Sequence, residues 1–225
     1  MNDTAGTKRI GLFGGTFDPI HKGHVKAAES VQSVFAFDTI LFIPSYIPPH
    51  KESEDVASAE DRLKMVEMAL SSWDRFSPSA IEIDARGTSY SIVTLNRIKE
   101  MFPKTDIYFL LGVDAFLEIE TWKDYEEVLE QCSFIVMSRP GYSLDDARGV
   151  LAEKFHQRMT AISEPVDRPN EEFFSHKIYL CPIQTLDVSS SEVRKRVRNN
   201  QSIRGLVPEN VENFIKERGL YLRKK

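Results

Sequence analysis

Cysteine is scarce in this chain of 225 residues: only Cys132 and Cys181 are present, far apart and without the spacing of metal ligands. That excludes a disulfide framework and a zinc site and leaves two buried thiols in a reducing cytoplasm as the expectation. No apolar run approaches the length of a membrane span, and the first residues lack the basic-then-apolar pattern of a secretory signal. Residues 1–7 read as a disordered leader. Repeats, low-complexity tracts and composition breaks are also missing, so one domain over residues 1–225 is expected. Positive charge is in short supply overall, with 29 Lys and Arg against 34 Asp and Glu and a net charge of −5. Bulk attraction to nucleic acid is therefore not expected. Finally, no Gly-x-Gly-x-x-Gly follows the first apolar run, which disfavours a dinucleotide-binding dehydrogenase.

What is present alternates. Apolar runs at Ile10–Phe13, Thr39–Ile43, Ala80–Asp84, Asp106–Leu111, Ser133–Met137 and Lys177–Pro182 read as strands. Helical spacing of apolar residues is found over Lys22–Phe35 and from Ser58 through Leu63, Val66 and Leu70, and Thr88 to Ser91 opens a further helix running to about Met101. Trp122–Glu130, Ser143 to about Gln157, Ser190–Asn199 and Pro208–Arg218 read as further helices, the last with proline in its first turn. Residues 163–176 read as a loop or insertion. The strands are apolar throughout rather than alternating, as in parallel sheets covered on both faces. The expected fold is therefore α/β: a single doubly wound, mostly parallel sheet with helices on both faces, closed by C-terminal helices. Ligands in such sheets bind beyond the carboxyl ends of the strands.

The stretch Gly14-Gly15-Thr16-Phe17-Asp18-Pro19-Ile20-His21-Lys22-Gly23-His24 joins the first strand to the first helix. A strand, a glycine turn and a helix start make an anion site, because helix-head N–H groups lack partners and the helix dipole adds partial positive charge. His21 and His24 are spaced to face the same side of that helix start. Near the other end, Val188-Ser-Ser-Ser-Glu-Val-Arg194 offers Ser189 as a helix cap with Glu192 three residues on. Ser190 and Ser191 then fall in the first turn, and Arg194 can fork two bonds to a phosphate. From Ser189 to Lys225 ten Lys and Arg face four Asp and Glu, a local basic excess on an acidic chain that suits a small polyanion.

These two elements together resemble the signatures of the nucleotidylyltransferase superfamily, whose members transfer a nucleoside monophosphate from a triphosphate to a phosphate ester. Further segments are similar to those of the bacterial nicotinate-nucleotide adenylyltransferases. They are Pro48-Pro-His-Lys51, Arg86-Gly-Thr-Ser-Tyr-Ser91, Leu111-Gly-Val-Asp114 with Trp122 beyond it, and Arg139-Pro-Gly-Tyr142. Within the element at residues 188–194, Ser191 stands where the family has Thr and Val193 where it has Ile.

The resemblance implies adenylyl transfer from ATP to nicotinate mononucleotide, with Mg²⁺ accompanying the triphosphate. It implies His21, His24 and Arg194 as catalytic, and an ATP site of Gly14, Gly15, Thr16, Phe17, His24, Asp114, Arg139, Ser189, Ser190 and Arg194. It places Lys51 near the mononucleotide phosphate, Ser91 near the nicotinate carboxylate and Trp122 against the pyridine. On the residues alone, Asp114 serves equally as a helix cap, and Trp122 as core. Related alternatives are a nicotinamide-mononucleotide or phosphopantetheine adenylyltransferase, and a silent nucleotide-binding regulator. The implied partners are small molecules, with neither nucleic acid nor membrane, in the cytoplasm; assembly into a homo-oligomer is left open.

Overall fold

Strand β1 (Lys8–Gly15) lies in the interior of a seven-stranded sheet, between β2 and β4. In this computed structural model, residues 8–47, 56–162, 177–184 and 186–222 are described. The other strands are β2 (Thr39–Pro44), β3 (Phe76–Pro78), β4 (Thr105–Gly112), β5 (Ser133–Met137), β6 (Met159–Ala161) and β7 (Ile178–Cys181). They lie in the order β3-β2-β1-β4-β5-β7-β6, with every pair parallel. Chain order reverses between β1 and β4, so the crevice at their carboxyl ends is the switch point where such sheets bind ligands.

Alternate side chains of each strand feed two cores. On one face Phe13, Phe42, Tyr108 and Leu110 pack under α1 (Lys22–Phe35), α2 (Ala59–Leu70), α9 (Ser190–Arg198) and α10 (Glu209–Arg218). On the other, Leu12, Ile107, Phe109 and Leu111 pack under α4 (Ser91–Met101), α5 (Val113–Phe116) and α6 (Tyr125–Gln131). Both faces are thus buried, which is why the central strands read as unbroken apolar runs.

Several expected elements differ. Ala80–Asp84 is not a strand: Ile81–Ala85 forms the short helix α3, its first turn closed by Asp84 N–H donating to Ala80 O at 2.8 Å. The strand lies earlier, at Phe76–Pro78. Five residues are too few for a 3.6-residue period to show.

The helix expected over Ser143–Gln157 is two single turns, α7 (Ala147–Val150) and α8 (Glu153–His156), separated by extended backbone at Leu151 and Ala152. Beyond them, Met159–Ala161 adds an unexpected edge strand. The helix expected from Trp122 begins at Tyr125, because Asp124 adopts a left-handed φ of 52°. Pro208 caps α10 from outside rather than lying in its first turn. The buried face of α2 runs through Arg62, Met65, Val66 and Ala69, with Leu63 only half-buried. The expectations for residues 1–7 and 163–176 and for Lys51 lie outside the described residues.

Candidate active site

The carboxyl ends of β1, β4 and β5 and the heads of α1 and α9 enclose a cleft of about 590 Å³. That is an ordinary size for a small-molecule site. It brings together Gly14, Gly15, Thr16, Phe17, His21, His24, Asp114, Arg139, Ser189, Ser190 and Arg194. Ser91 and Trp122 are not among its lining residues. Ser91 opens α4, and Trp122 packs edge-on against Phe109 with ring centroids 5.6 Å apart. A Cβ on Gly14 would meet that same Phe109 ring at 3.8 Å.

The two signature segments are stapled directly to each other. Ser190 Oγ donates to Pro19 O at 2.9 Å, and Arg194 Nη1 donates to Asp18 O at 2.6 Å. Ser189 caps α9 by accepting from Glu192 N–H at 3.2 Å. The head of α1 is partly occupied by the protein itself, since Lys22 N–H donates to Leu206 O at 2.9 Å. Both cleft arginines are held by carboxylates: Arg139 pairs with Asp114, and Arg194 lies 3.6 Å from Asp18 Oδ2.

Within the first turn, each glycine answers to a different neighbour. A Cβ on Gly15 would press on the ring of Phe17 at 3.2 Å. Phe17 is itself left-handed, with φ 48°, and buried beneath the turn. A Cβ on Gly23 would sit 2.9 Å from both His21 Nδ1 and Val188 Cγ1. Only glycine lets α1 pass between the His21 ring and the segment that leads into α9. Gly23→Ala is therefore expected to shift the His21 ring, lowering kcat at least about tenfold and stability by about 1–3 kcal/mol. Steady-state kinetics with thermal melting checks both.

The histidines have defined hydrogen-bond roles. His21 N–H donates to His24 Nδ1 at 3.2 Å. Accepting at Nδ1 leaves the hydrogen of a neutral His24 on Nε2, a donor. The two rings stack with centroids 3.6 Å apart.

Comparisons with known proteins place the chain in a family. Residues 12–196 match the cytidylyltransferase-like family model. The chain belongs to that family. A relative from Desulfatibacillum aliphaticivorans, named "Probable nicotinate-nucleotide adenylyltransferase", is 40% identical over 95% of this chain and 100% of its own. Another of that name, from Moorella thermoacetica, is 40% identical over 98% of this chain and 95% of its own. Among solved structures, Plasmodium falciparum nicotinic acid mononucleotide adenylyltransferase complexed with NaAD superposes with a TM-score of 0.70. It is 18% identical and covers 95% of this chain and 97% of its own, so it speaks to the fold alone.

Of the two histidines, His21 is the more deeply buried. Burial pulls the His21 imidazole down to about 4, with the Arg139 cation acting in the same direction. The ring is neutral at neutral pH. The unfolded ring titrates near 6.5, so between about 6.5 and 4 the unfolded state binds more protons. Stability supplied by the neutral ring is complete above that window and falls as pH drops through it, by up to about 3 kcal/mol. Urea unfolding at pH 7 and pH 4.5 checks this: wild type is expected to lose more stability between the two than His21→Gln.

Three contributors escaped sequence reasoning. Arg62, 1% exposed, donates to Ala57 O at 3.1 Å, Thr16 O at 2.8 Å and Tyr46 O at 3.1 Å. Its signal was available as a cation in register with the core face of α2. Asp18, 3% exposed, sits beneath the turn, and Tyr221 reaches it from beyond α10. A tyrosine so far along the chain gives no local hint of such a partner.

Proposed function

We propose that the protein transfers AMP from ATP to nicotinate mononucleotide, giving deamido-NAD and pyrophosphate. The observation that carries this reading is the direct stapling of the His-x-Gly-His turn to the Ser-Ser-Ser-x-x-Arg helix head across one cleft. The near full-length relatives named for this activity supply the substrate.

An oxygen of the mononucleotide 5′-phosphate attacks the α-phosphorus of ATP; a P–O bond forms there as the bond to the pyrophosphate oxygen breaks. No protein nucleophile is required, because the substrate brings its own anionic oxygen. The chain's work is placement and charge neutralisation. His24 Nε2–H donates to a phosphate oxygen, and Arg194 and the head of α9 hold the outer phosphates. Asp114 and Arg139 border the nucleoside. Gly14 leaves room above Phe109, and Trp122, edge-on to that ring, offers a flank for the pyridine.

Among the described residues no group of three or more His, Cys, Asp or Glu is arranged to hold a metal. Mg²⁺ would accompany ATP, taking most of its ligands from phosphates and water, and would supply charge neutralisation there. Cys132 and Cys181 are buried free thiols, which supports the cytoplasm as the place of reaction. Among the described residues no helix is long and apolar enough to cross a membrane.

The test is pyrophosphate release from ATP with nicotinate mononucleotide, nicotinamide mononucleotide and phosphopantetheine offered separately. Release with the nicotinate form, well above the other two, is expected. Turnover with phosphopantetheine alone overturns the substrate, and turnover with none of them overturns the enzyme.

A further inference from the structure

Helix α10 ends at Gly219, left-handed with φ 61°, and Leu220 N–H closes back on Ile215 O at 3.0 Å. The chain then reverses through Tyr221, itself left-handed with φ 62°. Its hydroxyl donates to Asp18 Oδ1 at 2.7 Å, and Ala57 N–H donates to the same oxygen at 3.1 Å. The other carboxylate oxygen faces Arg194 Nη1 at 3.6 Å, and that guanidinium also donates to Asp18 O. Nη2 of Arg194 donates to Ser191 Oγ at 3.3 Å. Asp18 and Arg194 line the cleft, whereas Tyr221 does not. Burial beside the Asp18 charge pushes the Tyr221 phenol far above its usual range, so it remains a donor at every working pH.

We propose that Tyr221 is a positioning residue for the nucleotide: through Asp18 it fixes the direction in which Arg194 meets the triphosphate. The inference rests on the adenylyl-transfer reading for the identity of that nucleotide. The carboxylate is bracketed, with Tyr221 and Ala57 on one oxygen and Arg194 on the other. Removing the phenol frees the carboxylate to rotate, and the guanidinium turns with it. The docking of α10 does not depend on this bond. Val211 and Ile215 are buried in the core, and Asn210 Nδ2 donates to Met68 O at 2.6 Å. Arg218 pairs with Asp61 at 3.1 Å. A phenylalanine at position 221 would keep the ring and lose only the donor.

Tyr221→Phe is therefore expected to raise both the KM and the calorimetric Kd for ATP roughly tenfold, the size of one hydrogen bond to a buried charge. The KM for nicotinate mononucleotide is expected to stay within about twofold. Asp18→Asn keeps an acceptor for Tyr221 but removes the charge facing Arg194, and is expected to weaken ATP similarly. The double variant should be little worse than either single one, because both act through the same contact. Ile215→Val, which destabilises α10 in the core, is expected to lower the melting temperature without moving the Kd for ATP.

An unchanged ATP affinity in folded Tyr221→Phe overturns the proposal. So does an equal rise in both KM values, additive effects in the double variant, or an Ile215→Val protein that weakens ATP as much. ATP binding is measured without the second substrate, so wild-type protein that binds ATP yet releases no pyrophosphate overturns only the reaction.

Discussion

His24→Ala is expected to lower kcat by roughly 10²–10³-fold while leaving the melting temperature within a few degrees of wild type. His24 lies in the first turn of α1, half-buried, with its ring stacked on His21 and edge-on to Phe17 at 5.0 Å. Its Nδ1 is committed to the His21 N–H, so Nε2 carries the hydrogen. A donor fixed in this way gives most to the state with most charge on the phosphate oxygens, and that is the transition state. The loss should therefore appear in kcat rather than in the KM for ATP. His24→Asn can still accept the His21 N–H but does not present the same donor, and is expected to recover stability without recovering turnover. Pyrophosphate release under saturating substrates, alongside thermal melting, separates the two. Near-normal kcat in His24→Ala removes it from the chemistry.

The contrast between His24 and Tyr221 shows where the sequence is readable. β1, β2, β4 and β5 are buried on both faces, so each leaves an uninterrupted apolar run. The cleft forms at their ends, and its glycines and histidines fall in one contiguous segment. Ser189 was readable as a cap for the same local reason. The edge strands β3 and β6 have three residues each and leave no periodic trace. Ser190 falls in the first turn of α9, but its proton goes to Pro19 O, a partner 171 residues away that no local pattern announces. Contacts of that span depend on how whole layers close over one another, and single-residue patterns do not encode them. The same holds for Ser89, whose Oγ accepts from Tyr46 N–H at 2.9 Å across 43 residues, while α4 has no side-chain cap.

Arg62→Met is expected to be the most destabilising single change, at about 3–5 kcal/mol. The guanidinium serves three carbonyls from three segments, Thr16 in the signature turn, Tyr46 after β2 and Ala57 before α2. Methionine fills much of the same volume but leaves those oxygens without their donors, each a cost of about 1–3 kcal/mol if water cannot reach it. Burial pulls the Arg62 pKa down, with the Asp18 carboxylate opposing that shift. Lysine restores a charge but not a fork; its three donors share one nitrogen, whereas these carbonyls are met by Nε, Nη1 and Nη2. Arg62→Lys is therefore expected to recover less than half of the lost stability. For a chain of this length the methionine variant should melt about 10 °C or more below wild type. It should also bind ATP more weakly at temperatures where it is still folded, because Thr16 O is no longer anchored. A variant that melts within two or three degrees of wild type would mean that water or neighbouring donors replace the guanidinium, and that the signature turn holds its shape without it.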